Sequence, residues 1–433
     1  MRKFKLLSII LSCLSLLQAN SEDGLRGSIV TQDGQVLSKS SAEGGRIFSF
    51  RKSFSPVLGY VTFKEEGKRG VEEVADTTLS LGYDVHLTIN LRLQQKIEAI
   101  LDQAKINSNA DHVIVAVMES KTGKIVAMAS SNRYDPRYIR EEDIPSLALK
   151  FTKYPYEPGT VISPFVLAIA LEHNLLTTDT VFNIYNGKME YAEEKSINDV
   201  QKFDVLSAAN IIIDFSHIGM MQISWLLSGS EFREGLQNFG FGEPSGIEFS
   251  CDLAGTLQPL NEFEKRLPKA VYSLGYGMLT TFTQLLKAYN VFNNDGISVN
   301  PSIISHIIEG REMNYFKKAE GKRVMSLKTS EQIHNILVAN HVQETKLNTK
   351  YPNLELGGKK STAKIFKKGK YSEEYHSGFY GFANDDEGHK YTIGVLVIRP
   401  KDVKGRAGSQ SAFSVFEDVS SVLMECNALK MSI

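Results

Sequence analysis

The segment His112–Met118, reading HVIVAVM, constrains the fold more than any other. An unbroken apolar run this rich in β-branched residues reads as a buried strand. The turn Lys121-Thr122-Gly123 leads back through Ile125–Ala129, so the two runs form a hairpin in which Gly supplies the turn conformation. Upstream, Asp84–Ile89 alternates polar and apolar residues as a strand does, and Asn90 caps a helix predicted over Leu91–Ala104. A second helix starts after Tyr156-Glu157-Pro158-Gly159 and runs to Glu172. Helical patterns fill 205–240 and 278–293, strands return at Tyr375–Ala383 and Tyr391–Ile398, and an amphipathic helix covers Ala412–Leu423. Together these imply an α/β sandwich with a helical insertion.

At 433 residues the chain has room for two or three domains, or a large domain with a smaller one. A formal net charge of -1 gives no reason to expect nucleic acid as a partner. The basic run Lys364–Lys370 reads as a solvated loop. No His/Cys cluster has metal-ligand spacing, and Gly275-Tyr276-Gly277 lacks the third Gly and the βαβ context of a phosphate loop, so neither metal nor cofactor is expected.

The N-terminus reads as an export segment. Arg2, Lys3 and Lys5 precede an apolar stretch from Leu6 to Leu17, which then turns polar. That stretch is shorter than the ~20 residues that span a bilayer. Two readings stay open: a signal cleaved after Ala19, or an uncleaved anchor in the cytoplasmic membrane. Outside it, only Cys251 and Cys426 remain, and spacing does not settle whether they pair. Residues 21–83, rich in Gly, Ser and charge, read as a small, loosely built module.

Eight segments, in order, resemble class B penicillin-binding proteins, the D,D-transpeptidases of elongation and division. Arg26–Leu37 resembles their N-terminal "RGxIxDRNGxxLA" signature, Ser55–Val61 their "HVLGYV", and Asp84–Asn90 with Leu93-Gln94 their "DVxLTID…LQ". Thr122–Met128 resembles "TGEILAM", and Tyr156–Gly159 the lead-in to the nucleophile helix. Phe239–Gly242 with Ser245–Ile247 is similar to "FGFGxxTGI". The stretch from Gly275 through Ala288-Tyr289 to Gly296 is similar to "GQGxxxTPLQLAxAYxxxANxG", and Phe379–Ala383 to "SFVGFAP". The resemblance implies an antiparallel sheet packed between helices, with a helical subdomain. Residues 1–20 would be the signal or anchor, 21–83 a stub of the family's longer pedestal, and 84–433 the transpeptidase-like domain.

What the resemblance implies for chemistry is acyl transfer. A Ser opening a helix attacks a D-Ala-D-Ala carbonyl, and a Lys three residues on, on the same helix face, takes its proton. A Ser-x-Asn turn assists, and a Lys-Thr-Gly strand binds the substrate carboxylate. Here the nucleophile position is Thr160, and the base position is Ser163, which has no amine. The Ser-x-Asn positions are Phe215-Ser216-His217, with an aromatic ring where a hydroxyl is needed and a His217 that titrates near neutrality. The strand motif reads Lys359-Lys360-Ser361, followed by Thr362. The lost Gly matters because it admits substrate close to the backbone. Lys359, Lys360 and Thr362 remain as candidate contacts for a carboxylate.

Literal motif copies occur elsewhere, at Lys121-Thr122-Gly123, Ser130-Ser131-Asn132, Ser49-Phe50-Arg51-Lys52 and Ser361–Lys364, but none occupies the family position. The expectation is an exported, periplasmic or periplasm-facing protein of cell-wall synthesis or division, without turnover. Its partner would be a peptidoglycan stem peptide or another cell-wall protein. Thr160 and Ser163 would then be plain cap and first-turn residues. One alternative is an active enzyme using Thr160 with Lys359 or His217 as base, and another is a β-lactam sensor or sequestering protein.

Overall fold

The computed structural model describes residues 25–192, 195–315, 321–342, 347–401 and 406–430. The export segment read at 1–20 lies outside them.

Two sheets organise the chain. The smaller is built from strands β1 (Ile29–Val30), β2 (Val36–Ser40), β3 (Arg46–Phe48), β4 (Asp84–Leu87), β7 (Ile304–Glu309) and β8 (Glu312–Tyr315). Their spatial order is β8-β7-β4-β1-β2-β3, with β1 parallel to β4 (Ile29 opposite Val85). The larger contains β5 (His112–Glu119), β6 (Ile125–Ser130), β9 (Glu355–Lys367), β10 (Lys370–Asn384) and β11 (Lys390–Ile398), ordered β9-β10-β11-β5-β6 and antiparallel throughout.

The apolar run in β5 follows from burial on both faces. Val113, Val115 and Val117 pack with Leu93, Ile97 and Leu101 of helix α1 (Leu91–Ser108) and with the C-terminal helix α7 (Arg406–Glu425). Ile114, Ala116 and Met118 face the other way, into a core that holds α2 (Ser163–Glu172) and α5 (Phe282–Asn293). A residue period of two thus serves two apolar layers. Helices α3 (Ala208–Ile213), α4 (His217–Leu226) and α6 (Leu327–Val342) are among the others on the helical side.

Several sequence expectations change. The Asn90 side chain caps α1 by accepting from Leu93 N at 2.9 Å, but the helix continues to Ser108, ending at Asn109 in the left-handed region (φ 45°). The basic run Lys364–Lys370 is not a solvated loop: Lys364–Lys367 ends β9, Lys370 opens β10, and Lys368-Gly369 is the turn. Cys251 and Cys426 are both free. No helix among the described residues is long and apolar enough to cross a membrane.

The described part of the module at 21–83 is not loosely built. Glu72, on the short helix Gly70–Val74, is fully buried and gathers four donors. Arg26 Nη2 lies 3.0 Å from Oε2, while Arg46 Nε at 2.8 Å and Ser38 Oγ at 2.7 Å reach Oε1. Arg26 also donates through Nε to Oε2, and its Nη1 pairs with Asp76 at 2.7 Å. Its sheet is completed by β4, β7 and β8 from later in the chain, so the division at residue 83/84 runs through a sheet.

Candidate active-site cleft

The lead-in Glu157-Pro158-Gly159 is locked by backbone. Gly159 adopts φ +64°, and its N–H bonds Gly275 O at 3.1 Å. A Cβ on Gly275 would lie 2.0 Å from Gly159 O, so that position needs Gly. Glu157 accepts from Gly277 N at 2.7 Å and from the Tyr371 hydroxyl at 3.1 Å, and burial raises its pKa. Gly159–Ile162 forms a 3-10 turn, and α2 then begins at Ser163, with Pro164 in its first turn, where backbone donors lack helical partners.

Neither Thr160 nor Ser163 caps that helix with its side chain, which corrects the cap half of the expectation; Thr160 lies in the 3-10 turn and Ser163 in the first turn of α2. Thr160 Oγ1 donates to Lys360 O at 3.4 Å, its single hydrogen bond among the described residues. Ser163, 2% exposed, donates to Ser273 O at 3.3 Å. No amine or imidazole within the described residues is hydrogen-bonded to the Thr160 hydroxyl.

Lys359 lies on β9 and is 1% exposed. Its ammonium donates to Ile212 O at the end of α3 and sits 3.1 Å from the centroid of the Phe215 ring. Phe215 has φ 59°, a left-handed conformation that is strained for an aromatic residue. Lys360 Nζ lies 5.5 Å from the same ring. Phe215 therefore occupies the position that the family resemblance gives to a serine hydroxyl and faces Lys359 with a π surface.

Ser216 caps α4, its Oγ bonding Gly219 N at 3.0 Å and Asp199 at 2.5 Å. Asp199 also accepts from His217 N at 2.7 Å and Ile218 N at 3.2 Å. Sequence reading missed Asp199; the Ser216 cap was its only local signal. Burial lowers the His217 pKa, Asp199 opposes that shift, and nearby Lys359 adds to it. Ser361 Oγ donates to Pro158 O at 2.8 Å, tying β9 to the turn just before Thr160. Thr362, the next residue, is exposed. The structure thus brings together Thr160, Lys360 and Ser361 on one side and Phe215, Lys359 and Lys360 on the other.

A model of the "Penicillin binding protein transpeptidase domain" matches residues 113–421. Penicillin-binding protein PbpB of Mycobacterium tuberculosis is 25% identical over 366 residues, covering 81% of this chain and 53% of that protein. Peptidoglycan D,D-transpeptidase FtsI of Buchnera aphidicola (subsp. Schizaphis graminum) is 25% identical over 397 residues, covering 90% of this chain and 67% of that protein. The chain spans about half the length of PbpB. In fold, a crystal structure of penicillin-binding protein 3 from Mycobacterium tuberculosis superposes with a TM-score of 0.85 at 23% identity, covering 94% of this chain and 97% of that one. With the antiparallel sheet between helices, the nucleophile-helix lead-in and the Lys359 strand all in place, the chain belongs to the penicillin-binding protein transpeptidase domain family and is homologous to its class B members.

Proposed function

We propose that this chain is an exported, non-catalytic member of that family, acting in peptidoglycan synthesis or cell division as a binding or regulatory protein. The observation that carries the reading is the internal engagement of Lys359 by Ile212 O and the Phe215 ring, with Ser163 in place of the base. A hydroxyl nucleophile needs a base within hydrogen-bond reach, and among the described residues Thr160 has only a carbonyl as partner. The names of similar proteins, peptidoglycan D,D-transpeptidase and Stage V sporulation protein D, support the cell-wall setting. In this reading residues 1–20 are the signal or anchor, 21–83 the pedestal remnant and 84–433 the binding domain, facing the periplasm. A stem peptide or another cell-wall protein is the partner, and Lys360 and Thr362 are the carboxylate contacts nearest solvent.

Labelling the full chain with a fluorescent penicillin tests this. The expected result is no covalent adduct. A covalent adduct that disappears in Thr160→Ala overturns the reading and favours an enzyme in which Lys359 leaves Phe215 to act as base, or His217 does. Reversible binding without acylation keeps the non-catalytic reading and points to a β-lactam sensor.

A further inference from the structure

A groove of about 630 Å³ opens at the far end of α4 from the cleft. Phe182, Tyr185, Tyr191, Trp225, Gln222 and Arg266 line it. From His217 to Trp225 is eight residues of helix, about 12 Å along the axis. Phe182, Tyr191 and Trp225 are half-buried and packed on the main core, so these rings are held in place before any ligand arrives. The Trp225 ring carries the Arg266 guanidinium at 4.0 Å, and its Nε1 donates to Arg266 O at 3.0 Å.

Tyr185 is the exposed member, at 50%. It begins three successive residues in the left-handed region: Tyr185 (φ 53°), Asn186 (φ 52°) and Gly187 (φ 79°). Asn and Gly tolerate that region, whereas an aromatic residue such as Tyr185 enters it at a steric cost. The turn presents an aromatic ring at the groove rim despite that cost, and unfavourable backbone of this kind concentrates at ligand clamps. Gln222 donates its amide N–H to Asn183 O at 2.8 Å, and among the described residues its Oε1 receives no hydrogen bond. Lys188 and Glu190, both exposed on the rim, oppose each other in charge.

We infer that this groove binds a neutral glycan, of the β-1,4-linked N-acetylhexosamine class. Pyranose rings offer apolar C–H faces that lie against aromatic rings, with hydroxyl and acetamido groups around the edge for side chains such as Gln222. Lys188 and Arg266 outnumber Glu190 on the lining, but the guanidinium is already stacked on Trp225, which leaves Lys188 and Glu190 as an offsetting pair that suits an uncharged polymer better than an anionic one. The ligand class rests on the cell-wall reading above. The placement also suits that reading, since a strand in the groove would run about 12 Å from the cleft that would receive its peptide.

Trp225 is the single tryptophan of the chain, so emission excited selectively in the indole band, beyond tyrosine absorption, reports this groove. The probe is the N-acetylglucosamine tetramer, titrated into the full chain with calorimetry in parallel. The expected result is saturable binding, weakened at least about tenfold by Tyr185→Asn, which removes the ring and keeps a residue tolerant of left-handed backbone. Tyr138→Ala, which truncates an exposed tyrosine at a different groove, should bind as the parent does. No saturable binding by either readout, unchanged affinity in a folded Tyr185→Asn, or saturation by a stem pentapeptide instead of the tetramer overturns the inference. Penicillin acylation would sink the non-catalytic reading and leave the glycan result standing, so the two failures are distinguishable.

Discussion

The Lys359 ammonium stands 3.1 Å from the centre of the Phe215 ring, on the two residues that family resemblance places in separate active-site motifs. A cation held this way in a buried setting is stabilised by the ring quadrupole and by the Ile212 carbonyl, against the cost of leaving water.

A double-mutant cycle measures that contact. Phe215→Leu keeps apolar bulk and removes the π face, and Lys359→Met keeps length and removes charge. The expected coupling in urea unfolding is about 1–2 kcal/mol. Coupling below about 0.5 kcal/mol would mean that the ring does not hold the ammonium.

Restoring the first motif is not expected to restore chemistry. Thr160→Ser with Ser163→Lys should give no adduct with fluorescent penicillin while Phe215 still covers Lys359 and Ser361 still bridges to Pro158 O. Adding Phe215→Ser and Ser361→Gly is expected to yield one. Full labelling of the two-site variant would show that the aromatic cover and the strand bridge are not the barrier.

Buried histidines set an acid limit. His341 lies among Phe379, Phe413 and Phe416, and burial holds its pKa down at about 4; His376, beside Tyr154, is likewise held at about 4 by burial. Unfolded histidine titrates near 6.5, so between about pH 6.5 and 4 the unfolded chain binds more protons. Stability is therefore full above about pH 6.5 and falls on acidification, by at most about 1.4 kcal/mol per pH unit for each histidine. Denaturant melts at pH 7 and 5 should show a smaller loss for His341→Phe than for the parent, and an equal loss would refute the assignment.

Glu72 is the keystone of the smaller sheet. Glu72→Ala leaves Arg26 and Arg46 buried without their shared carboxylate and should cost about 3–5 kcal/mol. Hydrogen exchange at Gly27 and Val85, whose amides bond Leu79 O and Ser28 O, should accelerate before exchange in the β5–β11 ladder does. Uniform acceleration across both sheets would mean that they open as one unit.

What was legible in the sequence was local. The β5–β6 hairpin declared itself because both faces of its strands are apolar, and the Asn90 cap because one side chain serves the turn that follows. The hairpin at 355–384 is hidden where it leaves the core: near its tip Lys364 and Lys370 are exposed and Lys367 is half-buried, and their positions are set by partners across the ladder. The smaller sheet is hidden in the sequence because β4, which β1 joins, pairs with β7 more than two hundred residues further on, which no window spans. In the cleft, motif positions were readable but their new partners were not. Ile212 O, Pro158 O and Asp199 meet Lys359, Ser361 and Ser216 only through the fold.

The smaller sheet also fixes how the chain transmits force. Tension applied at Leu25 meets the Arg26–Glu72 pair first, and then passes into β1, which lies parallel to β4 with β4 gripped in turn by β7. A pull along a parallel ladder loads its hydrogen bonds together in shear, whereas a hairpin opens one bond at a time. A pull from the N-terminal side would thus load the β1–β4 ladder and the Arg26–Glu72 pair before it reaches the larger sheet.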